Sequence, residues 1–212
     1  MKRLLFVMLP ILLAFAGCAS TSGDGSYRQA TAPTDYLSYP NDQAEVLVFF
    51  GYQCNPCHNF YSQELARWSA TGADDVSIVY VPVIFSDAVY PAARAFHAAE
   101  VLGENPAFHA QLFDAYQSGV DLSSQKAVMA FARGCCDIDP VAFRTAYESE
   151  LVERRMDQAE TLLYQFGIRA TPSVIVNREH LVDPSMVASG RSLLDTVKAR
   201  LNGEAPGRLL SI

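Results

Sequence analysis

Val46-Leu47-Val48-Phe49-Phe50-Gly51-Tyr52-Gln53-Cys54-Asn55-Pro56-Cys57 joins an unbroken apolar run to a Cys-x-x-Cys pair, and the reading of this stretch decides the fold. Five consecutive apolar residues ending at a glycine-containing turn predict a buried strand. Pro56 suits the first turn of a helix, where its missing N–H is not needed, so a helix is expected over residues 55–70. Phe60, Tyr61, Leu65 and Trp68 recur with helical spacing and give that helix an inner face. Cys54 then sits at the head of the helix, where unpaired N–H groups and the helix dipole favour a thiolate. Cys57 is one turn further on the same face and within reach of a disulfide. The two are expected to be a redox couple, Cys54 the attacking thiol and Cys57 the resolving thiol.

Outward from this stretch the pattern alternates and then changes texture. Residues 77–81 predict a second strand, limited by Pro82, and strand–helix–strand implies parallel pairing through a crossover. Residues 90–167 carry only helical signals: 91–102 closed by Gly103, 106–117 closed by Gly119, 123–133 followed by Gly134, and, following Asp139-Pro140, a long segment from 141 to about 166 that leaves room for internal breaks. Strands return at 173–177 and 180–182 across a turn at Asn177-Arg178-Glu179, and a last amphipathic helix is expected over 189–201 before Gly203. A short strand near residues 36–39 and a turn at Pro40-Asn41-Asp42 precede the first buried strand. The order βαβ, helical block, ββα describes one α/β layer interrupted by an all-helical insertion.

This order resembles the DsbA family of exported thiol:disulfide oxidoreductases, over about residues 35–203. The resemblance rests on Phe49-Phe50-Gly51-Tyr52-Gln53-Cys54-Asn55-Pro56-Cys57, on Ala-Ala-Arg-Ala-Phe-His-Ala-Ala-Glu-Val-Leu-Gly at 92–103, on Phe108-His109-Ala110-Gln111-Leu112-Phe113, and on Gly167-Ile168-Arg169-Ala170-Thr171-Pro172-Ser173. It implies a thioredoxin fold (βαβ…ββα) interrupted by an all-helical insertion domain, with 35–89 and 168–212 forming the thioredoxin-like part and 90–167 the insertion. It also implies a cis Pro172 beside the dithiol, which makes Thr171 and Pro172 the substrate-docking element, their backbone open to an extended client. The implied partners are unfolded or partly folded exported polypeptides and a membrane redox partner that resets the dithiol. No metal or organic cofactor is expected, since the electrons are stored in the sulfur pair.

Two positions depart from the family pattern. Family oxidants commonly carry Pro-His between the cysteines, whereas Asn55-Pro56 places proline second, as in reducing thioredoxins. Six residues before Cys54, where thioredoxin-like proteins often bury an acid, this chain has Val48. Asn55, Pro56 and His58 are therefore the expected tuning residues. His58 stands one turn after Cys54 on the same helix face, and a protonated imidazole there would favour the Cys54 thiolate. A reducing role, such as keeping the cysteines of cytochrome precursors open, fits the same residues.

The N-terminus reads as an export signal: Lys2-Arg3, an apolar stretch over residues 4–15, then Ala16-Gly17-Cys18. A membrane-spanning helix would need about 18 or more apolar residues. Ala16-Gly17-Cys18 resembles a bacterial lipobox, with Phe15 where leucine is usual, so residues 1–17 are expected to be removed and Cys18 to carry lipid. Ala19 in place of aspartate then implies anchoring at the outer membrane, facing the periplasm. Cleavage after Ala16 is the alternative reading. Residues 18–34, rich in Ser, Thr, Gly and Ala, are expected to be a flexible tether. Loss of Lys2 and Arg3 takes the formal charge from −7 to −9, and with no basic cluster nucleic acid is not an expected partner.

Readings of other classes share some of these residues. Cys54-Asn55-Pro56-Cys57-His58 also satisfies C-x-x-C-H, the attachment site of a c-type haem in an electron carrier. A thioredoxin-fold interaction module without turnover would keep the same architecture. Cys135 and Cys136 read as small buried apolar residues at a helix end, with a vicinal redox pair or an intermolecular bridge as the alternatives. His97, His109 and His180 show no metal-ligand spacing and are assigned to packing or surface, and Phe96, Phe108, Phe113, Phe131 and Phe143 to core.

Overall fold

The apolar run at 46–50 becomes an interior strand of a five-stranded sheet in a computed structural model, which describes residues 28–29, 44–73 and 75–204. The strands are β1 (Arg28–Gln29), β2 (Ala44–Phe50), β3 (Val76–Pro82), β4 (Ser173–Val176) and β5 (His180–Val182), in the order β1-β5-β4-β2-β3. β2 pairs parallel with β3, Val46 opposite Ile78, and antiparallel with β4, Val48 opposite Val174. β4 and β5 form an antiparallel hairpin, and β1 adds antiparallel to β5. Arg28 and Gln29 belong to the stretch expected to be a tether. Their pairing rests on main-chain bonds, which leave no apolar alternation to read. The expected strand at 36–39, the turn after it, the signal segment and Cys18 lie outside the described residues.

Side chains alternate across β2, and this sorts the core into layers. Val46 and Val48 face Phe60, Leu65, Trp68, Leu193, Leu194 and Val197. Leu47 and Phe49 face Ala159, Leu162, Phe166 and Ile168 on the other side. The helix after β2 covers the first face and runs as α1 (Asn55–Asn59), a π-helical stretch Phe60–Leu65 and α2 (Ala66–Thr71). Within it the N–H of Ala66 donates to the Tyr61 carbonyl, five residues back.

The helical block contains α3 (Tyr90–Leu102), α4 (Asn105–Gln117), α5 (Gln125–Cys135), α6 (Pro140–Tyr147) and α7 (Glu150–Gln165), and α8 (Leu193–Leu201) closes the fold. Local chemistry fixes the boundaries. Gly103 ends α3 with φ +77°. Ser124, Asp139 and Ser149 cap α5, α6 and α7 by accepting from the N–H groups of Ala127, Ala142 and Val152. Ser192 and Asp195 form a capping box on α8, which therefore starts later than the expected residue 189. The long helix expected from 141 is broken at Glu148-Ser149.

α7 ties the two parts together. Val152 and Met156 pack in the helical core, while Ala159 and Leu162 pack on the sheet. The expected insertion boundary at 167 thus assigns to the helical block a helix whose second half serves the thioredoxin-like layer. The helical core in turn takes in Phe50, Tyr52 and Cys57 from the strand and helix of the redox stretch.

Candidate active site

Cys54 is the N-cap of α1, in extended conformation, with its backbone N–H bonded to the Gly51 carbonyl at 3.1 Å. Its Sγ accepts the Cys57 N–H at 3.2 Å, the bond by which an N-cap oxygen would satisfy a free helix donor. The same N–H stabilises negative charge on that sulfur when the pair is reduced. The Cys54 and Cys57 sulfurs are bonded to one another, with their Cα atoms 5.2 Å apart. Cys54 is half-buried and Cys57 is 2% exposed, so one sulfur is accessible and the other is held inside.

Chain from the far side of the sequence completes the site. Cys54 Sγ lies 3.4 Å from the carbonyl oxygen of Thr171, and the Thr171–Pro172 bond is cis, as the family resemblance implies. Ser173 begins β4 immediately afterwards and pairs with Phe49, so the sheet register sets Thr171 beside the end of β2. Pro172 and Cys57 line a cavity of about 10 Å³ together with Val48, Tyr61, Tyr80 and His109. Val48, where related folds bury an acid, is an apolar wall here.

His58 is turned towards the helical block. Its Nε2 is 3.1 Å from Asp114 Oδ1 on α4, and its ring lies against Phe113 at 5.7 Å between centroids. The structure thus gives His58 a carboxylate partner as well as a place one turn from Cys54. Asn55 is exposed and Pro56 occupies the first turn, as expected.

Two residues behind the cysteines were not singled out by their spacing. The Tyr52 hydroxyl is 2.7 Å from His109 Nδ1, deep inside the junction of the two parts. Rings of Phe50, Tyr61, Tyr80, Phe96 and Phe113 surround the imidazole with centroids 4.4–5.1 Å away. Burial lowers the His109 pKa to about 3 and raises that of Tyr52 well above its ordinary value, so both are neutral at physiological pH. Gln117 Nε2 donates to the Tyr52 carbonyl at 3.3 Å and steadies the turn that leads into Cys54. Tyr52 and His109 are 57 positions apart, and neither belongs to a motif that pairs them. His97 is also buried, with Nδ1 2.7 Å from Glu100, away from the sulfurs.

A sulfur pair at the head of a helix, one member accessible and one buried, beside a cis-proline on a thioredoxin-type sheet, defines a thiol–disulfide oxidoreductase of the thioredoxin class. The family model described as DSBA-like thioredoxin domain matches residues 62–202, and the chain belongs to that family. It is 30% identical over 187 residues to the thiol:disulfide interchange protein DsbA of Azotobacter vinelandii, covering 82% of this chain and 86% of the relative. Identity to the protein of the same name from Burkholderia cepacia is 26% over 193 residues, covering 89% and 91%. Among solved structures, the oxidoreductase DsbA from Xylella fastidiosa superposes with a TM-score of 0.70 at 27% identity, covering 82% of this chain and 91% of that one. A point variant of Pseudomonas aeruginosa DsbA shares the fold, with a TM-score of 0.76 at 21% identity, covering 84% and 95%. The chain is a protein disulfide oxidoreductase. Among the described residues no helix is long and apolar enough to cross a membrane.

Proposed function

We propose that this chain exchanges disulfides with exported polypeptides through Cys54 and Cys57, in the periplasm. The observation that carries this reading is the asymmetry of the two sulfurs, with Cys54 Sγ accessible, bonded to a helix N–H and faced by the Thr171 carbonyl, and Cys57 enclosed. A client thiolate attacks Cys54 Sγ, the Cys54–Cys57 bond breaks, and its electron pair leaves on the Cys57 sulfur. A second client thiolate attacks the client sulfur of the mixed disulfide and expels Cys54 as thiolate. The client gains a disulfide, and its two electrons remain in the dithiol until a membrane redox partner removes them. Thr171 and Pro172 align the client as an added strand, with the Thr171 carbonyl accepting one of its N–H groups. Asn55, Pro56 and His58 set the ease with which the dithiol forms.

One feature supports the reverse direction, in which reduced Cys54 attacks client disulfides: proline in the second place between the cysteines, at Pro56. Equilibration of the purified chain with glutathione and its disulfide decides between them. Oxidation of client proteins predicts a strongly oxidising couple near that of DsbA, about −120 mV, and a reductase one near thioredoxin, about −270 mV. A pair that is inert to both glutathione and its disulfide overturns either direction. Anchoring through a lipidated Cys18 is part of this proposal. The mass of the mature N-terminus tests it, expected with a diacylglycerol adduct on residue 18 and overturned by an unmodified terminus after Ala16.

A further inference from the structure

We propose that Cys135 and Cys136 are a second thiol–disulfide centre, which exchanges two electrons with low-molecular-weight thiols independently of Cys54 and Cys57. The structure bonds the two sulfurs to each other, at the point where α5 ends. That differs from the expectation of two small buried apolar residues. Both are only half-buried, they lie at the rim of the helical core, and exposed Gly134 and Asp137 flank them.

A bridge between neighbours in sequence closes no intervening loop, so it constrains the unfolded chain almost not at all and ties no two elements together. A stabilising role is therefore unavailable to it. The Cα atoms are 3.8 Å apart, below the range of about 4.4–6.8 Å that ordinary bridges occupy, and bridges outside that range are the more easily reduced. Space is open beside the pair, since a Cβ placed on Gly134 would meet nothing within 4 Å.

The surroundings select the reactant. Cys135 is at the C-terminal end of α5, where the helix dipole opposes a thiolate, the reverse of the situation at Cys54. Chain on both sides is helical: α5 before it and α6 after it, with Asp137 at φ +56° making the turn and Asp139 capping α6. Neither helix offers a strand edge on which an extended polypeptide could align. The fitting partner is a small thiol of the glutathione class. In reduction one such thiolate attacks a bridge sulfur, the bond between Cys135 and Cys136 breaks, and a second small thiolate releases the small disulfide. Two small thiols supply two electrons and two protons, and both cysteines end as thiols.

The sequence makes the test direct, because trypsin separates all three groups of cysteines. Cleavage after Arg133 and Arg144 gives a peptide of residues 134–144 holding only Cys135 and Cys136, while residues 29–67 hold only Cys54 and Cys57. The folded full chain is equilibrated over a series of glutathione to glutathione-disulfide ratios, alkylated, digested and weighed. The 134–144 peptide is expected in two forms, bridged and doubly alkylated, whose ratio follows the square of the glutathione concentration over that of its disulfide. Double alkylation at every ratio, a bridge that survives the most reducing mixture, or oxidation that appears only as a link to another chain overturns the proposal. The 29–67 peptide in the same digest reports the first centre, so the two readings fail separately.

Discussion

Cys54 Sγ and the carbonyl oxygen of Thr171, 117 positions apart in the chain, lie 3.4 Å from each other. The reacting sulfur and the backbone that would hold a client are thus fixed by one sheet, β4 bringing Thr171 to the end of β2. Cys57, three residues from Cys54, is enclosed between Pro172 and the aromatic junction. Cys54→Ser is expected to abolish disulfide exchange, lowering the rate by about 10³-fold or more. Cys57→Ser removes the bond that a client thiolate would break and should end client oxidation, while the free Cys54 thiolate should still attack client disulfides and, with no resolving thiol, hold the client as a mixed disulfide, visible on non-reducing gels and absent in the double variant.

Acid should destabilise the fold through His109. In the unfolded chain its imidazole titrates near 6.5, and in the folded chain at about 3 because burial opposes the charge. Between these values the unfolded state binds the extra proton, so the stability from this group is full above pH 6.5 and is lost as pH falls towards 3. The loss is on the order of 4 kcal/mol. Urea titrations of wild type and His109→Phe at a series of pH values check this, the variant being expected to show a flatter dependence across that window.

Glu45 and Arg178 form a two-point ion pair, with Nε to Oε2 at 2.7 Å and Nη2 to Oε1 at 3.2 Å, and the two side chains are 9% and 14% exposed. The pair pins the β4–β5 turn, where Asn177 and Arg178 both have positive φ, to the start of β2. Arg178→Met should cost about 3–5 kcal/mol by stranding the carboxylate. Glu45→Leu combined with Arg178→Met should recover most of that loss, as read from denaturant midpoints.

The Cys54 thiolate should respond with opposite sign to the two members of the His58–Asp114 contact. His58→Ala removes a proton donor one turn away and should raise the Cys54 pKa, and Asp114→Asn removes a negative charge and should lower it. Thiolate absorbance of the reduced chain against pH measures both shifts, and equal values in all three proteins would leave His58 without a tuning role.

The redox stretch was legible because its signals are local: an apolar run, a turn, a proline in a first helical turn and two cysteines one turn apart. Thr171-Pro172 was legible only through family resemblance, since nothing in a Thr-Pro pair specifies its isomer or its neighbour. Contacts that join distant positions left no trace in spacing, among them Tyr52 with His109, His58 with Asp114 and Glu45 with Arg178. The split allegiance of α7 was hidden for a related reason, because one helical period serves both halves while different partners cover them. Cys135 and Cys136 illustrate how composition misleads, small sulfur side chains being as compatible with a core edge as with a bond between neighbours.

Phe50, Tyr52 and Cys57 belong to the same packed cluster as Phe96, Phe108, Leu112 and Phe113 of α3 and α4. Replacing residues 90–167 by a short linker would consequently not yield a smaller working catalyst. It would expose the back of the redox helix to water, strip the cover from the enclosed sulfur and remove α7, whose second half covers the sheet. The two parts should melt together in one calorimetric transition, and neither should persist as a stable fragment after proteolysis.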